Sequence, residues 1–324
     1  MSSDDVHGNQ AIQRVLLTGA TGFVGRYVVR ELITRGYHPV CLLRSPGRMS
    51  GVVPEIRESQ VTTIHGTITD AGALRDAARQ SEAAIHLVGI IHERRWTGQT
   101  FDRVHRLGTM AVVDALEPAG VRRYVHMSAL GVRPDAVSNY HKSKFAAEQY
   151  VRDSGLDWTI LQPSLIHGPD GEFMELLKRF ACGWLPPVMP YFGSGESRVQ
   201  PVYVRDVARC FVDALRRPET VGQTYPLGGP ESYSWKELYA LARRIIPRAK
   251  RSKPVVSIPL PVARVLAATV MRTPLVPSRL RFNADQVQMS QEQSVCSTEP
   301  VESAFRFKLR HFDRELARYA ASIC

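Results

Sequence analysis

Short apolar runs separated by segments of helical period dominate the first half of the chain. Val15, Leu16 and Leu17 lead through Thr18 into a glycine-rich turn, and 23–34 then carries apolar residues at helical spacing. This predicts a strand, a turn and a helix. Further apolar runs at 38–43, 61–65, 83–88, 121–128 and 157–161 are each separated by a helix-like segment or a polar connection. Strands alternating with helices predict a parallel, doubly wound sheet with right-handed crossovers. Beyond Pro163 the pattern loosens. The stretch 182–195 is rich in Pro and Gly, contains Pro186 and Pro187, and cannot be regular helix. Helices are predicted at 204–216, with Asp206 in the first turn, and at 234–246, capped by Ser234 with Glu237 three residues on. A last amphipathic helix is predicted at 311–321, and the polar, weakly patterned stretch 286–301 reads as a surface loop before it.

Composition narrows the class. A chain of 324 residues has room for one large α/β domain and a smaller companion, and 44% hydrophobic with 23% charged residues excludes a disordered or fibrous chain. Cys41, Cys182, Cys210, Cys296 and Cys324 are odd in number and scattered, without metal-ligand spacing, so reduced thiols of a cytosolic protein and no metal site are expected. The polar, acidic start of the chain lacks the features of a secretory signal, and no apolar run approaches the roughly 20 residues of a membrane span. The net charge of +11 is concentrated: 238–284 holds ten basic residues and no acid, with apolar Val262, Val265, Leu266, Val270 and Met271 among them. That combination suits peripheral contact with an anionic membrane surface at the inner face, or with a membrane complex. No recognition motif accompanies the charge, so specific nucleic-acid binding is not expected.

The chemistry begins at Thr18-Gly19-Ala20-Thr21-Gly22-Phe23-Val24-Gly25. Glycines between a strand and a helix allow positive φ, close approach to a pyrophosphate and tight helix packing, and the helix N-terminus then holds the phosphates. The fold expected is therefore a Rossmann domain at 14–167, with elements from about 199–230 returning to it. It follows an N-terminal tail at 1–13 and precedes a smaller, substrate-facing C-terminal domain and basic tail at 168–324. The second strand ends at Arg44 with no acid to accept from an adenosine ribose, while Arg44, with Arg48 nearby, offers a planar fork to a 2′-phosphate. NADP(H) is thus expected over NAD(H), which stays possible. Tyr140 and Lys144 lie one helical turn apart, so they share a face. A neighbouring ammonium favours the phenolate, making Tyr140 a candidate acid/base, with Ser128 polarising the same oxygen.

The G-x-x-G-x-x-G spacing, the Tyr140-x-x-x-Lys144 pair and Pro163-Ser164-Leu165-Ile166-His167-Gly168-Pro169 resemble the short-chain dehydrogenase/reductase superfamily, in its extended form. The segments 86–91, 126–131, 154–159 and 200–204 look like the atypical group related to the NAD(P)H-binding accessory subunit of respiratory complex I. The resemblance implies that Asp70 sits near the adenine, that Val88, Pro163 and Leu165 join the cofactor site, and that Lys144 also contacts the nicotinamide ribose. The chain departs from the family pattern at His105, where an asparagine commonly supports a proton relay, at Ala129 and at Thr67. Two readings follow. One is an oxidoreductase or epimerase acting on a small carbonyl, hydroxyl or quinone-like substrate. The other is a non-catalytic NAD(P)H-binding accessory or assembly protein of a respiratory complex or quinone pathway.

Overall fold

The computed structural model describes residues 12–322 except 46, 48, 95, 96, 185, 273–275 and 277–280, and the side chain of Arg272 also lies outside the described part. Most of the N-terminal tail at 1–13, Arg48, Arg279 and Cys324 therefore fall outside it. The chain runs β1 (Arg14–Thr18), α1 (Phe23–Thr34), β2 (His38–Leu43), β3 (Thr62–His65), α2 (Ala71–Arg79), β4 (Ala83–His86), α3 (Gly108–Leu116), β5 (Arg123–Met127), α4 (Asn139–Asp153) and β6 (Asp157–Pro163). Next come β7 (Ile166–His167), α5 (Glu172–Cys182), β8 (Met189–Phe192), β9 (Arg198–Val199), β10 (Val202–Tyr203), α6 (Val204–Ala214) and β11 (Gln223–Leu227). The remainder comprises β12 (Tyr233–Ser234), α7 (Trp235–Ile245), β13 (Val255–Ile258), α8 (Leu260–Ala268), α9 (Ala284–Met289), α10 (Glu299–Phe305) and α11 (Phe312–Tyr319).

Seven strands form one parallel sheet in the order β11-β6-β5-β4-β1-β2-β3. Period-two alternation sorts its side chains between two cores. Val15, Leu17, Cys41, Leu43 and Ile85 enter the larger one with α1 and α6, whereas Leu16, Val40, Leu42 and Ala84 enter the other with α2 and α3. Strand order reverses at β1 and β4, which opens a crevice outside their C-terminal ends, the usual place for a ligand in an open α/β sheet. Every candidate site residue described below lies at or near that edge.

Beyond β6 the chain builds small pairings, β7 with β10, β9 with β12 and β8 with β13, surrounded by α5 and α7 to α11. The capping box at α7 forms as expected: Ser234 Oγ accepts from the Glu237 amide, and the Ser234 amide donates to Glu237 Oε2 at 2.7 Å. The stretch 286–301 is not a solvated loop. It ends α9 and begins α10, buries Val287 and Val301, and is stitched to the rest by the Ser294 amide on Arg198 O and the Cys296 amide on Gln200 Oε1. Its polar residues satisfy backbone groups of neighbouring segments, which is why no apolar period marks it.

Candidate active site

The glycine turn has the backbone its residues require. Gly19 has φ +81°, a region L side chains rarely adopt, and a Cβ on it would press at 3.3 Å on the backbone of Leu87 and Val88. A Cβ on Gly25 would overlap Gly19 O and the Ala20 backbone, so the first turn of α1 packs on the loop only with glycine there. Gly22 is the N-cap of α1, exposed, and no side chain caps the helix or adds acid to its first turn. Its N-terminal amides and dipole are thus open to an anion. Phe23 turns its ring to Gly168 and Gly171, and Val24 enters the core, so both bring only backbone to this turn. Thr21 is exposed beside them. The Thr18 hydroxyl faces elsewhere: it is buried and bonded to His86 Nδ1 at 2.6 Å.

At the end of β2, Arg44 is exposed. Asp70 caps α2, its Oδ1 accepting from the Gly72 and Ala73 amides at 3.0 and 3.1 Å, while Oδ2 lies beside Gly66. Val88 follows β4, half-buried against Gly19. The carbonyls of Pro163 and Leu165 accept from the amides of Leu130 and Val202, so these residues tie β6 to its surroundings through their backbones.

The candidate catalytic residues Tyr140 and Lys144 lie on α4. Lys144 is 2% exposed and donates through Nζ to Met127 O at 2.9 Å. Burial brings its pKa down to about 8, against a smaller upward pull from Glu148. Gly89 passes close to it: a Cβ there would stand 3.2 Å from Lys144 Nζ and 3.6 Å from His105 Nε2. The Tyr140 ring meets Phe101 and His105 edge-on, with centroids 5.8 and 5.3 Å away. Burial pushes its hydroxyl up to about 12. The expected lowering by Lys144 is therefore not found: desolvation of the buried phenol sets the direction of its shift. Ser128, 2% exposed, has its Oγ buried without a partner among the described residues, an arrangement that costs about 1–3 kcal/mol unless something else bonds it.

Sequence reasoning missed how His105 is used. It lies in a π-helical turn, Asp102–Leu107, a widening found mostly at functional sites. Its Nε2 accepts from the Ile90 amide at 3.0 Å, so Nδ1 carries the proton and donates to Ser143 Oγ at 2.8 Å, which donates to Tyr140 O. Burial, and then the Lys144 charge, hold its pKa at about 2, so it stays neutral. Also missed was the stacked pair of His86 and His126, 5.6 Å apart at paired positions of β4 and β5, both buried with Nε2 unpartnered. Two adjacent strands each ending near a histidine were the available signal. His167 is structural, its Nδ1 bonded to the Tyr319 hydroxyl at 2.9 Å. Among the described residues no cluster of His, Cys, Asp and Glu has the arrangement of a metal site.

A family model described as NAD(P)H-binding matches residues 19–179. The chain is 33% identical over 232 residues to a ceramide reductase of Caulobacter vibrioides, covering 72% of this chain and 70% of the relative. It belongs to the NAD(P)H-binding short-chain dehydrogenase/reductase family. A second relative in this family, mitochondrial NADH dehydrogenase (ubiquinone) 1 alpha subcomplex subunit 9 of Arabidopsis thaliana, is 29% identical over 292 residues, covering 86% of this chain and 70% of that one. Among solved structures, the dTDP-glucose 4,6-dehydratase of Streptomyces venezuelae with NAD bound has a TM-score of 0.71 at 22% identity over 95% of this chain and 96% of its own, which shows the shared fold. The family's dinucleotide fits the residues present. The uncapped N-terminus of α1 beside the Gly19 to Gly25 close packing would hold its phosphates, and the Ser128 hydroxyl is left without a partner among the described residues.

Proposed function

We propose that this chain is an NADP(H)-dependent reductase of a carbonyl or quinone-like substrate. The observation that carries the reading is the buried Ser128 hydroxyl, without a partner among the described residues just beyond β5, where Met127 O accepts from the Lys144 ammonium of α4, the helix that also carries Tyr140, whose burial keeps its phenol protonated. A phenol that holds its proton at neutral pH is an acid, suited to donating to an oxygen that gains charge rather than to stripping an alcohol. Bound NADPH supplies the hydride. Ser128 donates a hydrogen bond to the substrate oxygen, Tyr140 gives that oxygen its proton as the carbon is reduced, and the product is an alcohol or hydroquinone. Lys144, about half protonated near pH 8, orients the nicotinamide ribose and restores charge balance around the phenolate that Tyr140 becomes.

Arg44 supports the choice of NADPH. It is exposed immediately after β2, and no acid at that strand end repels a 2′-phosphate. Titration of both nucleotides tests it: NADPH is expected to bind at least tenfold tighter than NADH, and Arg44→Ala to remove the difference. Equal affinities in the unaltered protein would overturn the preference. Tyr140→Phe should abolish reduction while leaving NADPH affinity within about threefold, and retained turnover would overturn the acid role.

A second reading, a nucleotide-binding accessory protein, is favoured by one observation. Both ring nitrogens of His105 are bonded within the protein, which leaves no free relay at the place where the family pattern has asparagine. Loss of biological function in Gly22→Val with none in Tyr140→Phe would support it.

A further inference from the structure

We infer that the face built from Trp184, β13 and α8 is a docking surface for an anionic lipid membrane, held by shallow apolar insertion within a ring of cations. The inference rests on exposure and charge and is independent of whether the chain is catalytic.

Among the described residues α8 packs chiefly on α9. It buries only Ala263 and Ala267, while Val262 and Val265, three residues apart and so on one face, are 48% and 62% exposed. Val270, just beyond it, is 43% exposed and Val256 on β13 40%. Trp184 is 86% exposed, and Lys250 Nζ stands 4.0 Å over its ring. These residues belong to one continuous piece of structure. The Lys250 amide donates to Ala181 O, Lys253 Nζ donates to Gly183 O, β13 runs parallel to β8, and β13 passes through Pro259 into α8. Isolated exposed apolar side chains are ordinary, but a tryptophan and four valines on one such piece are not.

The charge selects the occupant. Arg248, Arg251 and Arg264 are exposed, and no acid occurs in the sequence 238–284; Arg244, which faces Tyr233 along with Glu231, Asp313 and Glu237, is not part of the ring. Asp285, the acid of α9, accepts from the Asn139 amide and so is held toward α4. A protein partner with an apolar groove would explain the valines, and a nucleic acid would explain the arginines. An anionic leaflet explains both, because apolar side chains enter the acyl boundary while lysine and arginine stay at the headgroups, where an aromatic ring also favours the interface. Not all of the basic residues take part. Lys253 is buried and spent on Gly183 O, and Arg243 donates to Lys253 O, so these two hold the fold of the face rather than touch lipid. Among the described residues no helix is long and apolar enough to cross a membrane, which leaves surface attachment as the mode.

Sedimentation with vesicles tests this on the full chain. The unaltered protein should pellet with phosphatidylcholine vesicles containing about a third phosphatidylglycerol at low salt, pellet poorly with phosphatidylcholine alone, and be released at high salt. Changing Arg248, Lys250, Arg251 and Arg264 together to Gln should lower partitioning by on the order of a thousandfold. Val262→Ser with Val265→Ser should retain salt-sensitive attraction but lose the quenching of Trp184 by brominated lipid, read as the difference from Trp184→Phe. Circular dichroism and NADPH binding identify any variant that fails to fold, and Lys253 is left unchanged for that reason. A protein that stays in the supernatant with anionic vesicles at low salt, a quadruple variant that pellets as well as the unaltered chain, or tighter binding to duplex DNA than to the vesicles would overturn the proposal.

Discussion

Replacing Lys144 by methionine should leave the protein as stable as before, or more so, while weakening its grip on NADPH. The lysine is 2% exposed and its pKa falls from 10.5 to about 8, so burying the ammonium disfavours the charged form by about 3 kcal/mol relative to water. Against this stands one charge-assisted hydrogen bond to Met127 O, worth about 1.5–3 kcal/mol. Methionine has a similar length, no charge and no donor, so the two losses largely offset each other at pH 7, leaving a change between zero and about 1.5 kcal/mol in favour of the variant. The pH dependence is the sharper signature. Because the folded pKa lies below the unfolded one, the unfolded chain binds the proton more tightly between about pH 8 and 10.5. The burial penalty is complete below that window and gone above it. Stability of the unaltered protein relative to Lys144→Met should therefore climb by up to about 1.4 kcal/mol per pH unit across it. Urea unfolding followed by tryptophan fluorescence at pH 7, 8, 9 and 10 measures the difference, from which other titrating groups cancel. A difference independent of pH, or a variant less stable by more than about 2 kcal/mol at pH 7, would refute the reasoning. NADPH affinity of the unaltered protein should meanwhile decline as pH rises through 8, when the ammonium is lost.

Ser128→Ala removes a buried hydroxyl that nothing among the described residues satisfies, so it should raise stability by up to about 1 kcal/mol in thermal unfolding yet slow reduction at least tenfold; a destabilised variant would show that the hydroxyl has a structural partner. Gly25→Ala places a methyl into Gly19 O and the Ala20 backbone, neither of which can yield as a flexible side chain would. It should cost about 1–3 kcal/mol and lose both nucleotides, and an unchanged melting temperature would contradict the packing. Gly22→Val should abolish nucleotide binding with a smaller effect on folding, since Gly22 is exposed and its nearest obstacle, Gly19 O, is 3.2 Å from the added Cβ; calorimetric titration decides.

The half of the fold that reads from sequence is the half in which neighbours in the chain are neighbours in space. α1 starts and stops where the apolar period does, because a single inner stripe, Val24, Val28, Val29 and Leu32, meets the core, even though much of what covers it is α6, far along the chain. β11 is harder to see: Gln223, Thr224 and Pro226 interrupt any apolar run, and the proline is tolerated because β11 is an edge strand paired only with β6. The stretch 286–301 misleads for a related reason, since its partners, Arg198 and Gln200, lie about 100 residues away and bond its backbone. At the site, spacing correctly places Tyr140 and Lys144 on one helix but says nothing of where the ammonium points, to Met127 O, or of the Phe101 and His105 rings that bury the phenol. Likewise Thr18 belongs to the glycine motif by sequence, but its side chain is directed by the register of β1 against β4, which sets it opposite His86.

The position of β11 also bears on how the molecule is made. The sheet is six strands wide when the ribosome has passed Pro163, and its last strand begins only at Gln223, about 60 residues later. At about 5–20 residues per second, the bare hydrogen-bonding edge of β6 waits roughly 3–12 s for its cover, longer than many domains need to fold. During that interval the nascent nucleotide-binding half is a template for any extended segment nearby, including the same strand of another emerging chain. A fragment ending at 167 would keep that edge permanently, so it should self-associate rather than serve as an isolated nucleotide-binding module.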